Sequence, residues 1–152
     1  MLRAMDAADT VRAILDANSY MTLSTADADG VPWATPVWFA TENYRDLYWA
    51  SVPDARHSRN LAVRPQLSIV VFDSTAKPDD TQAVYMAATA TQVTDDVAAG
   101  IATFSRVSVR QGLGEWAVAR VTGDARHRLY RATVTELYLK DPTRDIRHEV
   151  AL

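Results

Sequence analysis

The stretch from Tyr20 to Asp73 constrains this chain more than any other. It reads YMTLSTADADGVPWATPVWFATENYRDLYWASVPDARHSRNLAVRPQLSIVVFD. Tyr20 to Thr25 and Trp33 to Thr41 are strand-like runs rich in apolar, β-branched and aromatic residues. Between them stands Asp27-Ala28-Asp29-Gly30, a turn signal in which glycine supplies positive φ. A short turn of this kind joins antiparallel strands, because parallel neighbours need a long crossover. Pro36 cannot donate to a ladder, so the second strand belongs at an edge or carries a bulge. After a polar turn over Glu42 to Asp46, a third strand runs from Asp46 to Ser51. Pro53 to Val63 is a short helix stopped by Pro65. Leu67 to Phe72, almost all apolar and β-branched, suits a central strand.

The flanks extend this pattern. Asp6 to Asn18 predicts an amphipathic helix, with Val11, Ile14 and Leu15 on one face and Asp6 or Asp9 at its start. Ser74 to Asp80 reads as a loop and Thr81 to Thr94 as a long strand whose alanines leave room for close packing. Asp95 to Val109 is a helix with Asp95 or Asp96 as N-cap, broken by Gln111-Gly112-Leu113-Gly114. Leu129 to Leu139 alternates as a last strand. The tail after about residue 142 is polar and expected to be loosely held. These elements give one domain over residues 1–152, an α+β fold with a six-stranded antiparallel split β-barrel flanked by short helices.

Composition excludes several function classes. A net charge of −3, with basic residues dispersed, gives no electrostatic basis for nucleic-acid binding. No apolar run approaches the roughly 18 residues of a membrane span. The N-terminal MLRAMDAADTVRA lacks a continuous apolar segment, so no signal peptide is expected. The chain has no cysteine, which removes disulfides, thiolate metal sites and cysteine nucleophiles and suits the cytoplasm. His127 and His148 lie on either side of a strand without ligand spacing, so no metal site is expected.

The order GxPxxxPxW, then LYWAS, then ARHSRNLxxxP, then a β-branched strand resembles the flavin-binding split barrels of the pyridoxamine 5'-phosphate oxidase-like superfamily. The resemblance covers Ser19 to Thr94 well and the rest loosely. It implies an FMN site in which Thr35, Pro36, Val37 and Trp38 run under the flavin ring. Trp49, Ala50 and Ser51 would lie beside the phosphate, with Arg56 and His57 binding it and Asn60 adding a polar group in the same short helix. Gln82 would reach the ring from the long strand. Arg56 keeps the guanidinium fork suited to phosphate oxygens. His57 stands where the family often has lysine and is only partly charged near neutral pH.

Each residue also has a plainer role. Arg56, His57 and Arg59 are ordinary solvated helix residues, and Trp33, Trp38 and Trp49 are ordinary core or interface aromatics. Glu115-Trp116 is either a plain loop or the border of a neighbouring subunit's pocket. The resemblance implies an FMN-dependent oxidoreductase acting on a small organic substrate as a homodimer with shared cofactor sites. Such a cofactor carries the redox chemistry, so no dedicated acid or base is required. The same superfamily offers two alternatives: an F420-dependent oxidoreductase, or a non-enzymatic flavin- or haem-binding protein, in which His57 would be the histidine near the pocket. F420 has a more acidic tail, and the chain's only lysines are Lys77 and Lys140, which favours FMN.

Overall fold

The computed structural model describes residues 6–152. Helix α1 spans Ala7–Ala17, and the Asp6 carboxylate caps it by accepting from the Asp9 N–H at 2.8 Å. Its apolar stripe buries Val11 and Leu15. Strands β1 (Tyr20–Ala26) and β2 (Pro32–Trp38) pair antiparallel from Tyr20 opposite Trp38 to Ala26 opposite Pro32. Gly30 takes φ +84°, and the Asp27 side chain accepts the N–H groups of Asp29 and Val31, both at 2.9 Å. Arg64 clamps the turn from outside by donating to the carbonyls of Asp27 (2.7 Å) and Ala28 (2.9 Å).

Strand β3 (Asp46–Ser51), helix α2 (Arg56–Val63), and strands β4 (Gln66–Phe72) and β5 (Ala83–Gln92) follow. Helix α3 (Val97–Arg110), the long strand β6 (Arg128–Lys140) and the short strand β7 (Arg147–Glu149) complete the chain. The sheet order is β2-β1-β4-β5-β6-β3, with β7 also on β6, and all pairs are antiparallel. The fold is α+β, as expected, with seven strands where the sequence pattern gives six. The extra strand is three exposed residues long, Arg147 to Glu149, too short and too polar to show a period.

Edge strands β2 and β3 lie at opposite ends of this order, yet Ala40 and Tyr48 bridge them through paired backbone bonds of 2.9 and 2.8 Å. That bridge curls the sheet on itself. It also explains why β2 ends at Trp38 rather than Thr41: Phe39 and Ala40 are both buried, which breaks the alternation of a half-buried strand. Pro36 sits opposite Thr22 on the edge strand, where its missing donor costs no ladder bond. Inside, Met21, Leu23, Leu47, Trp49, Ile69, Val84 and Met86 form one packed core. Each such side chain contributes about 1.5–3 kcal/mol on burial. A second cluster, Ala40, Ile101, Phe104, Val107, Val121 and Leu129, lies under α3. No helix among the described residues is long and apolar enough to cross a membrane.

Candidate functional site

Where β2 and β3 approach each other, α3 and the loop after it leave an open cleft of about 520 Å³. Volumes of about 300–1,000 Å³ are typical of small-molecule and cofactor sites. Pro36, Val37 and Trp38 of β2, Ala50 and Ser51 of β3, and His57 of α2 form one part of its lining. Phe104 and Ser108 of α3, then Leu113, Trp116, Arg120 and His127 from the following loop, form the other, with Tyr20 at the start of β1.

The aromatic wall is an ordered stack. Trp38 meets Phe104 edge-on at 4.8 Å between ring centres, and Phe104 meets Trp116 edge-on at 4.9 Å. The Arg120 guanidinium lies 3.5 Å over the Trp116 ring. Hydrogen bonds hold the loop to the helix: the Trp116 N–H donates to Ser105 Oγ at 2.9 Å, and Ser108 Oγ donates to the Gly114 carbonyl at 2.7 Å. Farther along, Arg128 donates to the carbonyls of Gly123, Ala125 and His127. The loop that carries Trp116 and Arg120 is thus braced on both flanks.

The opposite end of the cleft is polar. Ser51 Oγ and His57 Nε2 are hydrogen-bonded at 2.7 Å, and both residues are buried. Burial pushes the His57 pKa below its ordinary value, so the ring is uncharged near neutrality. Ala55 caps α2 without a side-chain acceptor, leaving first-turn N–H groups free to donate. Ser58 Oγ in that turn is buried and has no hydrogen-bond partner among the described residues.

Six of the eleven residues singled out from sequence therefore meet in the cleft: Pro36, Val37, Trp38, Ala50, Ser51 and His57. Five do not line it. Trp49 is fully buried inside the barrel, stacked on Tyr130 at 5.6 Å, because β3 alternates and Leu47 and Trp49 point inward. Asn60 is buried and spends its amide on Thr25 Oγ1 at 3.0 Å. Thr35 is half-buried on β2, opposite Leu23. Gln82 lines a separate pocket of about 610 Å³ with α1 residues Thr10, Ala13 and Ile14. Arg56 is next to His57, but its guanidinium stacks on Trp33 at 4.5 Å.

Tyr20, Phe104, Ser108, Leu113 and Arg120 are not singled out from sequence, and His127 is weighed there only as a metal ligand. The i, i+4 spacing of Phe104 and Ser108 marks a helix face, but nothing local says what it meets.

A family described as pyridoxamine 5'-phosphate oxidase matches residues 7–141. Among solved structures, a haem-binding protein from Mycobacterium smegmatis is similar with a TM-score of 0.72 and 20% identity, covering 99% of this chain and 60% of that one. The chain thus spans under two thirds of that protein's length. A FAD-binding protein from Mesorhizobium loti gives a TM-score of 0.65 at 19% identity, over 91% of this chain and 97% of that one. An F420 reductase gives 0.60 at 19% identity, over 83% and 94%. At these identities the likeness is one of fold. No curated protein matches the chain by sequence.

Proposed function

The chain belongs to the pyridoxamine 5'-phosphate oxidase family, and on that premise we propose that it is an FMN-dependent oxidoreductase acting on a small organic substrate. The observation that carries this reading is the convergence of three separate elements, Pro36–Trp38 of β2, Ala50–Ser51 of β3 and His57 of α2, on one aromatic-walled cleft. A flavin ring is flat and largely apolar with polar edges. Pro36, Val37 and Ala50 give an apolar surface for its face, and the backbone of edge strand β2 suits its rim.

The polar end fits a phosphate through Ser51 Oγ and the free N–H groups at the start of α2. Arg56, one residue from His57, supplies the fixed charge once its guanidinium leaves Trp33. His57, uncharged by burial, adds no cation and orients the Ser51 hydroxyl through its Nε2 hydrogen bond. When bound, the flavin would supply the hydride chemistry; the protein supplies position and the electrostatics around it.

The reading includes a homodimer with shared sites. What supports it is the outer face of the sheet. Pro36, Thr22, Val70, Tyr85 and Tyr138 stand opposite one another across five strands. A largely apolar groove of about 400 Å³ there is lined by strand residues alone. A cysteine-free chain suits a cytoplasmic setting.

A haem-binding reading stands second, favoured by the two histidines, His57 and His127, that line the cleft. It ranks lower because Ser51 already occupies His57 Nε2.

The test is an absorbance and fluorescence titration of the purified protein with FMN, F420 and haem in turn. Saturable binding of FMN supports the proposal. Binding of F420 alone assigns the deazaflavin branch, a Soret band with haem alone assigns the second reading, and binding of none overturns all three.

A further inference from the structure

The charge of the cleft is one-sided. The whole chain carries 19 acidic against 16 basic residues, yet among the described residues no aspartate or glutamate lines the cleft, while Arg120, His57 and His127 do. With His57 uncharged near neutral pH, Arg120 is the fixed cation of the lining. Its guanidinium rests flat on Trp116 at 3.5 Å. Among the described residues its side chain has no carboxylate partner, although ion pairs form elsewhere on the surface.

A guanidinium stacked on an indole uses its faces and leaves its N–H edge free. That edge is matched to a planar oxyanion, which it grips with two parallel bonds. Trp116 is itself fixed through Phe104 and the Ser105 hydrogen bond, so the fork is pre-positioned and little side-chain freedom remains to be lost on binding. In the same cleft, half-buried Trp38 and exposed Leu113 offer an apolar surface for a flat body.

We infer that Arg120, seated on Trp116, selects a flat substrate bearing a carboxylate or comparable oxyanion, with the apolar body against Trp38 and Leu113. The assignment of this anion as the substrate rests on the oxidoreductase reading above. The preference of the cleft for an anion does not.

The test uses the full chain, with and without FMN, titrated calorimetrically with 2-naphthoate and with its uncharged analogue 2-naphthamide. The expected result is tighter binding of the naphthoate by about ten- to a hundredfold, the worth of a charge-assisted contact. Arg120→Gln should abolish the difference. Arg120→Lys, which keeps the charge but loses the fork, should restore part of it. Arg120 is exposed, so neither change disturbs the core. Equal affinity for the two probes, or a preference that survives in Arg120→Gln, overturns the inference. So does a loss of FMN affinity in Arg120→Gln that spares riboflavin, since it would give Arg120 to the cofactor phosphate. Absence of flavin binding would sink the oxidoreductase reading alone, because the naphthoate preference is read independently in flavin-free protein.

Discussion

Trp38 Nε1 donates to Gln111 Oε1 at 2.8 Å, tying edge strand β2 to the residue that caps α3. The same oxygen accepts from Ser19 Oγ at 3.2 Å. One side chain thus fixes the indole that begins the aromatic wall of the cleft. Gln111→Ala removes both acceptor contacts. A stability loss of about 1 kcal/mol is expected, together with weaker flavin binding; melting temperature and flavin titration measure the two. Unchanged flavin affinity would show that the wall holds without this bond.

Arg56 offers a sharper test of where a phosphate sits. Arg56→Ala should weaken FMN binding about ten- to a hundredfold and leave riboflavin, which lacks the phosphate, within about twofold. Equal losses for both ligands would place Arg56 outside the phosphate end of the site.

The buried His57 makes stability depend on pH with a definite sign. Its pKa is lowered in the folded state by burial, so the unfolded chain binds the proton more readily. Stability from keeping the ring neutral is fully present above the unfolded value of about 6.5. It is lost progressively as pH falls from there through the folded value. Glu42 acts in the same direction at lower pH. Its pKa is lowered chiefly by the Arg106 hydrogen bonds, against a smaller opposing effect of burial. Its contribution is lost only as pH falls below the usual carboxylate range. Denaturant unfolding of wild type and His57→Gln between pH 5 and 8 checks this (roughly the window of an ordinary histidine). The variant should show a flatter profile, and parallel profiles would remove His57 as the cause.

Gly100 marks how closely α3 approaches the sheet. A Cβ there would stand 2.7 Å from Leu129 Cδ2 and 3.1 Å from Tyr48 Cε1. Alanine gains about 1 kcal/mol of helix propensity over glycine, but overpacking a filled site costs about 1–3 kcal/mol. Leu129 is itself buried and has little space to yield. Gly100→Ala should therefore be neutral to destabilising by up to about 2 kcal/mol, read as a lower denaturation midpoint. A clear gain in stability would mean that Leu129 repacks freely.

The sequence by itself determined most of the elements and one pairing, the β1–β2 hairpin. The Asp27–Gly30 turn, the alternation in β6, and an aspartate cap on α1 and on α3 (Asp6 and Asp96, from two candidates each) are local, because they arise from turn chemistry and side-chain period within a few residues. The order of segments also fixed the resemblance that names the family. Tertiary structure alone decided which face of each strand meets which neighbour. Trp49 and Ala50 are adjacent in sequence, yet one fills the barrel and the other lines the cleft, since successive strand residues point to opposite faces. Arg56 and Asn60 share one helix with His57, but only His57 faces the cleft. Closure between Ala40 and Tyr48 and the packing of Phe104, Trp116 and Arg120 against β2 depend on contacts between distant segments. Those contacts leave no period in the chain, because curling the sheet, rather than any local preference, brings them together.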